Sequence, residues 1–419
     1  MLRKNTTHMG IAVAIISAML IFSLSGPQAI AAEKVTLRII GETGMANSHK
    51  AIAKRFEATH PDVKIEIEPL PWEQAQEKLL TSYAANNPPD IAIFDGTWLP
   101  VFMDKGALVD LNKYNVKELK GLFLPEIWNM TEWKGAHYGL PYDIDTRAMF
   151  YRADMFREAG LDPSKPPVTW EDLVSYGKKL TKGKTYGVLL QPGIFEFQGF
   201  LVQAGGNYLD SNGNPIINNE NGQRALEFYE GLLSKEKIAI TVPQGMNREL
   251  FLKKDTAAIL FSGPWYLGPL SKTCPEMAGK WRVAVLPRDK YEGTFLGGTS
   301  MGIFRQSKHP DVAYEYMKFA ASQKENVLEM NRLLGALPAS SIVWKDPEIL
   351  KEWPYFGGQA ALGVFIEQIK SGRVLLNIPQ VTEMQSIVNR ALQQVIYEKR
   401  PIKAALDEAA NSMKRTLGR

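Results

Sequence analysis

Between Val35 and Asp95 the chain alternates two hydrophobic periods, and that alternation constrains the fold more than any other feature. Val35 to Ile40 is a β-branched run ending at Gly41. Asn47 and Ser48 then offer a cap for a helix that carries Ile52 and Phe56 four apart on one face. Val63, Ile65 and Ile67 alternate with Lys64, Glu66 and Glu68, the period of two of a half-covered strand. A helix from Trp72 to Ala85 stops at Pro88 and Pro89, and Ile91 to Phe94 is a continuous apolar run, as a strand covered on both faces reads. Strand, helix, strand, helix, strand implies a mostly parallel sheet flanked by helices, an α/β fold. Ligands of such sheets sit outside the carboxyl ends of the strands. That rule singles out Glu42 and Thr43 after the first strand, and Asp95, Gly96, Thr97 and Trp98 after the third. Set against this, Asp95 can simply cap a turn and Trp98 can simply pack on the sheet.

A second α/β region begins at Phe150. Thr169 caps a helix whose third position is Asp172, and Tyr186 to Leu190 and Ala257 to Phe261 read as buried strands. Helices are expected at Asn221 to Leu233 and Pro243 to Lys253, with further strands at Trp281 to Leu286 and Ser300 to Phe304. Beyond Pro310 the chain reads as mainly helical, with loops near Leu334 to Ser340 and Pro354 to Gly358. No flexible Gly/Ser linker separates the regions, so two α/β lobes crossed more than once by the chain are expected.

The first 31 residues read differently. Arg3 and Lys4 precede a 14-residue apolar run, Ile11 to Leu24, followed by Pro27 and the small residues Ala29 and Ala31. The run is shorter than the roughly 20 residues of a spanning helix, and the flanks are those of a signal peptide cleaved after Ala31. No cysteine lies at that point to carry lipid, since Cys274 is the only one in the chain; it also excludes an intrachain disulfide and a thiolate metal cluster. A periplasmic or secreted protein, not lipid-anchored, is expected. Removing Arg3 and Lys4 lowers the net charge from +4 to +2, and no basic or acidic block marks a nucleic-acid surface.

The catalytic inventory is thin. His8, His49, His60, His137 and His309 are scattered without metal-ligand spacing, and the chain has no Walker A or GxGxxG. Neither a metal nor a cofactor is expected. Asp143 and Asp145 in PYDIDT share one face of an extended strand about 7 Å apart, a spacing open to glycoside hydrolysis or to recognition of hydroxyl groups. Trp72, Trp98, Trp265 and Trp353 fall in or beside loops bounded by Gly, Pro or Asp, where an indole can stack on a sugar face or bury itself. Carboxylates with aromatics favour a neutral polyhydroxylated ligand over an anion, which calls for arginine or a glycine-rich helix start.

PPDIAIFDGTW (88–98), YGLPYDIDTRAMFYRADMFREAGLD (138–162), PPVTWEDL (166–173), AAILFSGPW (257–265), FLGGTSMGIF (295–304) and NIPQV (377–381), in that order, resemble the extracellular solute-binding proteins of ABC sugar importers. The resemblance runs through nearly the whole chain after residue 31. It implies a two-lobed periplasmic-binding-protein fold of type II, each lobe a mostly parallel sheet flanked by helices, with three crossings near Asp143 to Met149, Gly298 to Ile303 and Leu334 to Ala339. Lobe one is then 32–145 with 302–335, and lobe two 146–301 with 336–419. Carried over residue by residue, sugar contacts are expected from Glu42, Asp95, Trp98, Asp145, Trp265, Gly298 and Thr299, with Asp143, Glu196 and Arg373 as further candidates. Leu375 and Leu376 stand where relatives often have Arg-Pro, a departure that bears on Arg373. The resemblance implies a non-enzymatic monomer that captures a sugar, an oligosaccharide or glycoside, and delivers it to membrane permease subunits. The alternatives are a secreted glycosidase using Asp143 and Asp145, and the same fold holding a polyamine, by cation–π contact, or a sugar phosphate.

Overall fold

The computed structural model describes residues 34–242 and 248–419. The expected signal peptide and the start of the helix expected from Pro243 lie outside the described residues; the rest of that helix is Arg248–Lys253.

Two five-stranded sheets carry the fold. The first runs Val63–Leu70, Val35–Glu42, Ile91–Asp95, Thr299–Ile303 and Leu140–Pro141. Val63 and Ile65 are buried while Lys64 and Glu66 are exposed, which suits an edge strand, and Ile91 to Phe94 are buried throughout in the centre. The second runs Ala239–Thr241, Tyr186–Leu190, Ala257–Ser262, Ala148–Arg152 and Trp281–Ala284. In each sheet the fourth strand is antiparallel to both neighbours and the others share a direction. The architecture is the α/β, mostly parallel one that the alternating periods require.

The sheets are joined through short crossing segments. Asp143–Ile144 pairs antiparallel with Leu337–Pro338, and Asp145 bridges Gly297. Thr299–Ile303 lies wholly in the first sheet, its five residues laddered to Ile91–Asp95. The chain therefore changes sheet before Thr299 rather than at Gly302, because a full ladder leaves no residue of that strand to cross. One apolar core runs from Leu37, Ile39 and Phe56 through Ile144 and Leu337 to Phe150 and Trp281, binding the crossings into both lobes; a second, around Trp170, Phe200 and Tyr229, fills the far side of the second sheet.

The first helix starts earlier than its sequence signals suggest. It spans Thr43–Thr59, and the Glu42 carboxylate caps it by accepting from the N–H groups of Gly44 (2.8 Å) and Met45 (3.2 Å). A carboxylate at the strand end satisfies the orphan donors of the first turn, so Asn47 and Ser48 fall inside the helix. Ser48 is buried there against the Tyr142 hydroxyl at 2.7 Å. The Thr169–Asp172 capping box forms as expected at the start of Trp170–Leu180.

Candidate functional site

A narrow cleft of about 40 Å³ opens where the two sheets meet. Asp95, Gly96 and Thr97 line it from the first sheet, Phe195 and Gln198 from the second, and Asp145 with Phe295 to Gly298 from the crossings. Leu375, Leu376 and Gln385 close another side.

Asp145 is the pivot. Its Oδ1 accepts from Arg147 Nη1 at 2.7 Å and from the indole N–H of Trp265 at 3.1 Å. Arg147 is buried and rests on Phe295, its guanidinium 4.9 Å from the ring centroid. One carboxylate oxygen is thus fixed by two donors, which leaves the other as the acceptor turned to a ligand. Trp265 keeps 38% of its surface exposed, an unusual state for an indole that is held in place. Gly263 permits the arrangement, since a Cβ there would overlap both Trp265 Nε1 and Asp145 Oδ1.

Asp95 is held in the same manner. Its Oδ1 accepts from Thr97 N–H (2.8 Å) and Thr97 Oγ1 (2.6 Å). Burial raises its pKa and the nearby Asp145 charge adds to the rise, while the indole of Trp72 opposes it. Asp143 is buried behind the turn, its Oδ1 accepting from Thr299 N–H and Thr299 Oγ1, both at 2.7 Å. Desolvation, with the charges of Asp145 and Asp95, pushes its pKa up to about 7. Gly298 makes that turn possible: its φ is +142°, and a Cβ would overlap the Asp143 carbonyl. Its own carbonyl accepts from Gly96 N–H at 2.8 Å, tying the crossing to the loop after Asp95.

The remaining expected residues are placed elsewhere. Glu42 stands at the strand end as expected but spends its carboxylate on the helix cap. Glu196 is buried in the first turn of Ile194–Gln203, accepting from Tyr229 Oη (2.5 Å) and Gln191 N–H (2.9 Å), and burial pushes its pKa up to about 8. Arg373 is exposed on a two-residue strand beside Thr294–Phe295, outside the cleft lining. Trp98 corrects the expectation for an exposed indole after the third strand. It is only 2% exposed, because the turn closed by its N–H on the Asp95 carbonyl swings the ring back onto Trp72, 4.8 Å away. Trp72, by contrast, is 38% exposed.

Sequence reasoning missed Arg147 and Arg248. Arg248 is buried with its guanidinium 3.6 Å over Tyr266, donating to Gln191 Oε1 at 2.7 Å. Arg147 had a signal, two residues after Asp145 in the quoted DIDTR; Arg248 had none. Among the described residues no group of three or more His, Cys, Asp or Glu side chains is arranged to hold a metal.

Residues 42–327 match the model of the bacterial extracellular solute-binding proteins. The chain belongs to that family. Relatives within reach of its sequence include the arabinooligosaccharide-binding protein of Bacillus subtilis, 27% identical over 87% of this chain and 88% of that protein. The galactooligosaccharide-binding protein of the same organism is 28% identical over 88% and 86%. Among solved structures, the sugar-binding protein MalE of Xanthomonas citri superposes with a TM-score of 0.81 at 24% identity, covering 92% of this chain and 98% of that one. The two-lobed fold of this solute-binding family is therefore the fold of the chain. Members of the family act by binding rather than by catalysis, which agrees with a site built of carboxylates pinned by their neighbours.

Proposed function

We propose that the protein is the substrate-binding component of an ABC-type carbohydrate importer, exported after cleavage behind Ala31 and working as a monomer. It encloses an oligosaccharide between its lobes and presents the closed form to membrane permease subunits. The observation that carries this reading is the Asp145–Trp265 unit. A carboxylate fixed at one oxygen and, beside the cleft lining, an indole 38% exposed supply an acceptor and a stacking surface of the kind a pyranose or furanose ring needs. The printed ligand classes of relatives, arabinooligosaccharides and galactooligosaccharides, support the same chemistry.

Sugar contact is proposed for Asp95, Asp145, Trp265 and the Gly297–Gly298 backbone, with Asp143, Thr299 and Glu196 as their supports. The hydrolase alternative loses its geometry, since Asp143 faces Thr299 rather than the cleft. The test is calorimetry with arabino-, galacto- and malto-oligosaccharides and with spermidine. Micromolar or tighter binding of one oligosaccharide is expected, with at least a tenfold loss on Trp265→Ala. Unchanged affinity in that variant places the site elsewhere, and binding of spermidine alone sinks the sugar reading.

A further inference from the structure

Three neighbouring parallel strands of the second sheet begin at one edge, and the helix ends and loops that lead into them carry eight lysines. Lys178, Lys179, Lys182 and Lys184 precede Tyr186–Leu190, Lys235 and Lys237 precede Ala239–Thr241, and Lys253 and Lys254 precede Ala257–Ser262. All eight are exposed. The fold brings these separate segments together: Tyr186 N–H donates to the Thr256 carbonyl, Thr185 Oγ1 to the Asp255 carbonyl, and Lys178 pairs with Glu236 at 2.7 Å.

The acids among them are fewer: Glu171 and Glu227 lie beside Lys178, Lys179 and Lys235, and three more are engaged in ion pairs. Glu236 is shared by Lys178 and Lys235, Asp255 is paired with the buried Arg152 at 2.6 Å, and Glu276 lies 3.6 Å from Lys253. The eight lysines outnumber the five acids set among them, so this end of the second sheet is a pole of net positive charge. Trp265 follows the carboxyl end of Ala257–Ser262, so the pole and the cleft are separated by a strand length of roughly 17 to 20 Å.

We propose that this lysine pole docks on the anionic phospholipid surface of the membrane the protein faces after export, holding it close without occupying the cleft. The residue type selects the partner. Protein interfaces are depleted in lysine, and nucleic-acid readout favours the planar fork of arginine. Compact ammonium groups on exposed helix ends and loops suit a diffuse layer of phosphate head groups. The inference rests on the reading of the chain as exported, and its test does not depend on sugar binding.

The purified exported protein is sedimented with vesicles of phosphatidylcholine alone or with 30% phosphatidylglycerol, at low salt and at 0.5 M salt. Binding is expected only to the anionic vesicles, with loss at high salt as the charges are screened. The variant Lys179→Gln, Lys182→Gln, Lys184→Gln, Lys254→Gln is expected to bind at least tenfold more weakly while keeping the sugar affinity of the parent. A control with the same change of charge on the first lobe, at Lys54, Lys113, Lys117 and Lys120, is expected to bind as the parent does. No sedimentation with anionic vesicles, an equal loss in both variants, or binding to soluble polyphosphate but not to vesicles each overturns the proposal.

Discussion

At the level of single residues, burial decides what each polar group can do. Glu196 shows the effect most clearly, because its carboxyl is enclosed and its folded pKa stands near 8 against an ordinary value near 4.5. For an acid whose pKa is raised by folding, stability is greatest below the unfolded value and is lost as the pH rises through the folded one. Wild-type protein is therefore expected to lose stability between about pH 5 and pH 8.5, and Asp143, with its pKa near 7, contributes in the same direction. Glu196→Gln keeps an acceptor for Tyr229 and Gln191 without the titrating proton, so its urea midpoint should fall less over that interval. Equal losses in both proteins rule out Glu196 as the source. Burial is also what made single residues hard to read from sequence. Trp72 and Trp98 stand in similar loop contexts, yet one turn hydrogen bond sends Trp98 inward and leaves Trp72 half-exposed. Nothing in local composition tells the two apart.

Elements were far more legible. Period-two alternation and continuous apolar runs located Val63–Leu70, Ile91–Asp95, Tyr186–Leu190 and Ala257–Ser262, because a strand's burial pattern is written directly in its side chains. Boundaries set by a long-range neighbour were less so: Glu42 took the cap of Thr43–Thr59, and Thr299 joined the first sheet through its ladder. The Thr169–Asp172 box was readable since both partners are local, and Thr169→Ala is expected to cost about 1 kcal/mol in denaturant unfolding. The short segment Gly263 to Tyr266 after Ala257–Ser262 tests the link from element to site. In Gly263→Ala the added Cβ must separate Trp265 from Asp145, so oligosaccharide affinity should drop by about the amount lost in Trp265→Ala while far-ultraviolet dichroism stays unchanged. Retained affinity would mean that the indole and carboxylate need not touch to bind.

For the whole molecule, function depends on an equilibrium between lobe arrangements, and a ligand can shift it only by binding one arrangement better. Two hydrogen bonds tie the carboxyl-terminal segment to the first lobe in the arrangement of this structure. Asn377 Nδ2 donates to the Asn129 carbonyl at 3.2 Å and Thr382 Oγ1 to the Thr97 carbonyl at 3.3 Å. Both join the segment that follows Leu375 and Leu376 to loops beside the first sheet, and neither side chain lines the cleft. The resemblance in NIPQV drew attention to this segment, but its contacts across the cleft appear only once the chain is folded. Removing both bonds in Asn377→Ala, Thr382→Ala takes stabilisation from the lobe arrangement in which they form. Two such neutral hydrogen bonds are worth about 1 kcal/mol each, so oligosaccharide affinity is expected to fall by roughly tenfold to thirtyfold. The loss should appear in the dissociation rate, since the bonds form after ligand has entered. Small-angle scattering at saturating sugar should still give the compact form, because enough ligand restores closure. Stopped-flow tryptophan fluorescence separates the outcomes: a slower association rate with unchanged dissociation would show that these residues guide entry instead of holding the lobes shut.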